Sequence, residues 1–74
     1  MPKLKAPTLQ QMYADDLRTR YGGMMSLADV GEELGLGDKP TRKWLEGITA
    51  IDINGRKRYR VMDVAGKLYR NTEI

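Results

Sequence analysis

Leu27-Ala28-Asp29-Val30-Gly31-Glu32-Glu33-Leu34-Gly35-Leu36-Gly37-Asp38-Lys39-Pro40-Thr41-Arg42-Lys43-Trp44-Leu45-Glu46-Gly47 decides the reading of this chain. Leu27, Val30 and Leu34 recur at i, i+3 and i+7, with Asp29, Glu32 and Glu33 on the other positions, which predicts an amphipathic helix. Gly35-Leu36-Gly37 breaks it, and Leu36 between two glycines is expected to plug the core while the chain turns. A further helix starts near Asp38 and runs to Gly47. Pro40 fits only its first turn, where a missing N–H costs nothing, and Thr41, Trp44, Leu45 and Ile48 mark its inner face. Two short helices around a tight turn are therefore expected over 27–47.

Downstream, Ile48 to Val61 reads as a β-hairpin. Asn54-Gly55 is a strong turn signal, and the return strand is Arg56-Lys57-Arg58-Tyr59-Arg60-Val61. A two-residue loop would set Ile51 opposite Arg58 and Ile53 opposite Arg56. A three-residue loop, Ile53-Asn54-Gly55 with Gly55 left-handed, pairs Asp52 with Arg56 and Ala50 with Arg58. It leaves Thr49, Ile51, Lys57, Tyr59 and Val61 on the opposite face. That separates apolar from basic side chains and matches opposite charges, so the three-residue register is expected. Arg56, Arg58 and Arg60 then share a face.

Upstream, Thr8-Leu9-Gln10-Gln11 has the form of a capping box. Leu9, Met12, Tyr13, Leu17 and Tyr21 follow at helical spacing, so a helix over about 9–21 is expected, stopped by Gly22-Gly23. Ser26-Leu27-Ala28-Asp29 is a second capping signature. Met1 to Pro7 reads as a flexible basic arm. Asp63 can open a short last helix with Val64, Ala65, Leu68 and Tyr69 inward. Gly66 weakens that helix by about 1 kcal/mol relative to Ala, and the tail Arg70 to Ile74 is expected to fray.

With 74 residues the chain makes one domain, and a domain of that size buries only roughly 60% of its unfolded surface. It contains no Cys and no His, which excludes disulfides, thiol nucleophiles, imidazole bases and most zinc chemistry. No apolar run approaches the roughly 18 residues needed to span a bilayer, and the N-terminus lacks the apolar stretch of a secretory signal. A cytoplasmic protein without cofactor, small-molecule ligand or membrane partner is expected. Asp15-Asp16 and Glu32-Glu33 are neighbours that diverge by ~100° on a helix, so they do not form a catalytic pair, and no enzyme activity is expected. The net charge of +3 is unevenly placed. Gly37 to Met62 holds seven basic against three acidic residues, residues 1–36 four against five, and residues 63–74 two against two. The excess lies on the third helix and the hairpin, where an anionic polymer would be met.

Met25-Ser26-Leu27-Ala28-Asp29-Val30-Gly31-Glu32-Glu33-Leu34-Gly35-Leu36, Arg42-Lys43-Trp44-Leu45 and Gly55-Arg56-Lys57-Arg58-Tyr59-Arg60-Val61 with Asp63-Val64 resemble the excisionase and MerR-type winged helix-turn-helix family. The resemblance covers about residues 24–69 and leaves 8–23 as an extra N-terminal helix. Gly37, Thr41 and Met62 depart from the family pattern, as does a short connection from Trp44 to the hairpin. The resemblance implies an α+β, mainly helical fold of three helices, a β-hairpin wing and a short C-terminal helix. It implies a bacterial, phage or mobile-element protein that binds double-stranded DNA as an architectural or transcriptional accessory factor. Helix 38–47 would enter the major groove, and the wing, 48–61, would lie on the backbone or in the minor groove. Lys39, Thr41, Arg42 and Lys43 are the candidate contacts on the helix. Asn54, Arg56, Lys57, Arg58 and Arg60 are those on the wing. Trp44, Tyr59, Met12, Met24 and Met25 read as packing residues. The alternative is a protein-interaction adaptor of phage or mobile-element machinery, using the Leu9–Tyr21 helix for a partner or for self-association.

Overall fold

The computed structural model describes residues 8–73; the expected arm, 1–7, and Ile74 lie outside them. The chain forms a small α+β fold, mainly helical, of four helices and a three-stranded antiparallel sheet. In order these are α1 (Leu9–Tyr21), β1 (Met24–Met25), α2 (Leu27–Leu34), α3 (Asp38–Trp44), β2 (Ile51–Ile53), β3 (Arg56–Arg60) and α4 (Val61–Arg70).

Both capping boxes form. The Thr8 hydroxyl accepts from Gln11 N–H while the Gln11 side chain accepts from Thr8 N–H, and Ser26 and Asp29 exchange the same pair of bonds. These satisfy two otherwise orphaned donors at each helix start. Gly35 ends α2 in the left-handed conformation, φ 68°, which glycine adopts without steric penalty.

The helices pack around Ala14, Leu17, Met25, Val30, Leu45, Val61, Val64 and Ala65, with Tyr13, Tyr21, Leu27, Leu34, Trp44, Ile48, Tyr59 and Leu68 half-buried against them. On α1 the inner stripe is Tyr13, Ala14 and Leu17, and Met12 is 53% exposed, contrary to its expected packing role. The α1 surface that meets α4 includes Gln10, whose amide lies 3.3 Å from where a side chain on Gly66 would begin. Tyr69, expected inside, is 42% exposed.

Two corrections concern the turn between α2 and α3. Leu36 does not plug the core; its side chain is 40% exposed. Its backbone carbonyl points inward instead, to within 2.9 Å of where a Cβ on Gly31 would sit. The α3 helix also closes at Trp44 rather than Gly47. Leu45 caps it, and bonds from Glu46 N–H to Lys43 O (3.2 Å) and from Ile48 N–H to Leu45 O (3.0 Å) tighten the chain into a turn.

The sheet order is β1-β3-β2. Strand β1 was not expected. It pairs with β3 through Met24 opposite Arg60 and Met25 opposite Tyr59, so β3 is central. The hairpin register also differs from expectation. Ile51 opposes Arg58, Asp52 opposes Lys57, and Ile53 opposes Arg56, leaving Asn54-Gly55 as a two-residue loop. Asn54 has φ 53° and Gly55 φ 81°, the double positive φ of a type I′ turn. Asp52 reinforces it by accepting from Gly55 N–H at 2.8 Å, so the expected Asp52–Arg56 pair does not form. Side-chain matching loses here because β2 is mostly exposed and little burial depends on the register.

Strand β3 runs directly into α4, which starts at Val61, two residues before the expected Asp63. Its C-terminal end does not fray at Arg70. Thr72 donates to Leu68 O at 2.7 Å and shares a hydrogen bond with the Tyr13 hydroxyl at 3.0 Å, tying the tail to α1. Among the described residues no helix is long and apolar enough to cross a membrane.

Candidate nucleic-acid interface

Helix α3 is only seven residues long and has no side-chain cap at Gly37. Its position depends on neighbours at two places. At mid-helix Thr41 is fully buried, and its hydroxyl donates to Gly37 O at 2.7 Å. Gly31 of α2 lies beneath it; a Cβ there would stand 3.1 Å from the Thr41 oxygen. Thr41 therefore sits where α2 and α3 approach each other, and its candidacy as a DNA contact is withdrawn, since a hydroxyl that is inside and already bonded cannot reach a groove.

At the C-terminal end the ammonium of Lys67, from α4, donates to the carbonyls of Trp44 and Glu46, the latter at 3.2 Å. It also lies 4.9 Å from the centre of the Trp44 ring, within cation–π range. Trp44 is half-buried against the core, as is Tyr59 on β3.

Beside these anchors α3 exposes Lys39, Arg42 and Lys43, which surround a shallow concavity of about 540 Å³ with Pro40 and Glu46. Arg42 also lines a second cleft, of about 610 Å³, between the start of α2, α3 and the hairpin. Asp38, Lys57, Arg58 and Tyr59 line it too, together with Ser26, Leu27 and Ala28. The structure thus brings Arg42, Lys57 and Arg58 to one cleft. Arg56 stands exposed beside the hairpin tip, next to Asn54. Strand alternation keeps Arg56, Arg58 and Arg60 on one face, but Arg60 turns to Asp63 at 3.5 Å.

The distribution of ion pairs separates two kinds of cation. Arg18 pairs with Asp15, and Arg20 with Asp16 and Glu33. The Glu33 and Asp16 carboxylates raise the already high pKa of Arg20 further. Tyr21 beside them donates to Glu33 at 3.3 Å and has its pKa raised, first by burial and then by the charges of Glu33 and Glu32. By contrast, among the described residues Lys39, Arg42, Lys43, Arg56, Lys57 and Arg58 form no salt bridge. The Arg42–Glu46 pair that helical spacing permits is not made. Six cations outside ion pairs, on α3 and β3, leave a positive surface available to phosphate oxygens.

Sequence reasoning missed Lys67 and the cleft lining at Ser26–Ala28. The spacing of Lys67 within α4 is unremarkable, and its partners lie 21 and 23 residues away along the chain. Comparison of the chain with family models, curated proteins and solved structures finds no match.

Proposed function

We propose that the chain is a duplex-DNA-binding domain of winged helix-turn-helix type, an excisionase-like accessory factor. In this reading α2, the turn 35–37 and α3 form the helix-turn-helix, and β2–β3 form the wing. The observation that carries it is the cluster of six unpaired cations divided between α3 and the hairpin, three of which face one cleft. An α-helix with its side chains is about 10–12 Å across, and a B-DNA major groove is about 12 Å wide. With α3 in that groove, Arg42 suits a guanine edge through its two-pronged guanidinium, with Lys39 and Lys43 beside it on bases or phosphates. Lys57 and Arg58 in the same cleft, and Arg56 at the tip, would take the flanking backbone. No step of this reading requires a cofactor or a catalytic group.

A salt titration of binding to a duplex tests it. Four to six phosphate contacts at ~0.9 each give a log–log slope near −4 to −5. Negligible binding at physiological salt would refute the reading. A protein-interaction adaptor is the second reading, favoured by one observation: Met12 on α1 is more than half exposed and Tyr69 on α4 nearly so. Its test is a partner that binds the native domain and is lost on Met12→Lys.

A further inference from the structure

We infer that Lys67 is a positioning residue for the reading helix, setting the tilt of α3 without touching DNA. The inference rests on the proposed DNA-binding role of α3 and goes beyond it. Lys67 lies on α4 and lines neither of the concavities that Lys39, Arg42 and Lys43 border. Its ammonium has three donors and no acceptor. Two are committed to the Trp44 and Glu46 carbonyls, and the charge sits over the Trp44 indole. Trp44 is the last residue of α3 and Glu46 lies in the turn just after it, where helix groups lack internal partners and the dipole is negative. A cation held there both satisfies the orphaned oxygens and fastens the helix end to α4.

The consequence follows from how short α3 is. Seven residues at 1.5 Å rise make a rod of ~10 Å. A tilt of about 10° about its middle displaces each end by almost 1 Å, whereas productive recognition geometry tolerates about 0.5 Å. The middle of the helix is held at Thr41 by the close passage of Gly31. The Lys67 clamp is what removes the remaining freedom. Losing it should blur the placement of Arg42 against a base edge while leaving the charges that hold phosphates in place.

The test uses the full chain, with Lys67→Met, which keeps the aliphatic stem, and Lys67→Arg, which keeps the charge and donors. Each is titrated with a duplex selected by the wild-type protein and with a random duplex of equal length, over a range of salt. For Lys67→Met the preference for the selected duplex should fall about tenfold or more with the salt slope unchanged, and Lys67→Arg should recover most of the preference. Amide exchange of α3 should quicken in Lys67→Met while α1 stays protected. A merely structural role would weaken both duplexes by the same factor, in proportion to the unfolded fraction, and would overturn the proposal. So would an intact preference in a folded Lys67→Met protein. A slope smaller in magnitude by ~0.9 would make Lys67 a phosphate contact, and would overturn it too. If the wild-type protein bound no duplex at all, the DNA reading would fall. The amide exchange of Thr41–Leu45 would then decide the clamp alone: faster exchange in Lys67→Met sustains it, and equal exchange overturns it.

Discussion

Adding one methyl group at Gly31 and at Gly66 should move stability in opposite directions. Both glycines are buried inside helices, α2 and α4. Each substitution by Ala gains the same helix-propensity term, about 1 kcal/mol. The surroundings differ. At Gly31 the new Cβ would lie 2.9 Å from Leu36 O, a backbone atom, and 3.1 Å from the Thr41 hydroxyl. Backbone cannot yield without moving the turn between α2 and α3, and such overpacking costs about 1–3 kcal/mol. The net effect of Gly31→Ala is therefore a loss of up to about 2 kcal/mol. At Gly66 the nearest atoms are the ends of the Arg70 and Gln10 side chains, both at 3.3 Å. Long side chains swing aside at little cost, so Gly66→Ala should gain about 0.5–1 kcal/mol. Because propensity is common to both, the difference between the variants isolates the contact at α2–α3, about 1–3 kcal/mol. Urea denaturation monitored by far-ultraviolet circular dichroism measures it. In a domain this small about 1 kcal/mol shifts Tm by ~4–8 °C, so a thermal melt gives the same ordering. Equal stabilisation by both substitutions would show that α2 and α3 do not approach through Gly31, and would remove the structural reason for Thr41 being inside.

Arg42→Ala should weaken binding to a preferred duplex by about 1–3 kcal/mol and relax selectivity at one base pair; selection from a random duplex pool with unchanged preference would take Arg42 out of the reading role. Replacing Arg56 and Arg58 together by Gln should weaken preferred and random duplexes alike and reduce the salt slope by ~1.8. Folding should be nearly unaffected, because neither guanidinium is in an ion pair; loss confined to one sequence would mean that the hairpin reads a groove. Trp44 is the only tryptophan. Its emission should be intermediate in the native protein and move to the red on unfolding, and Trp44→Ala should cost ~3 kcal/mol; a fully exposed native spectrum would contradict its packing. Tyr21 has a raised pKa in the folded state, so the folded chain holds the phenolic proton more tightly than the unfolded one. That contribution is complete below the ordinary tyrosine value of ~10 and is lost as pH climbs through the raised value. Tyr21→Phe should flatten the alkaline end of the stability profile, and superimposable profiles would refute the assignment.

What could be read from the sequence alone was whatever depends on residues within about four positions of each other. Thr8 with Gln11, and Ser26 with Asp29, close their capping boxes inside one helical turn. Asn54-Gly55 turns the chain because of its own backbone preferences, and here that preference was a better guide to register than the side chains facing across the strands. The apolar phase of α2 and α3 placed Val30 and Leu45 inside. The grouping of cations on α3 and β3 was equally legible, since it is a property of sequence position.

Tertiary structure decided the rest. Met24-Met25 carries too little pattern to announce a strand and becomes one only because β3 offers an edge at Tyr59 and Arg60, far along the chain. Met12 is outside and Ala14 inside because α1 turns its Tyr13-Ala14-Leu17 stripe to the shared core. Thr41 leaves the candidate interface because Gly31 and the Leu36 carbonyl enclose it. Lys67 finds acceptors 21 and 23 residues away. In each case the partner is distant along the chain, and its contribution exists only once packing has brought the two together.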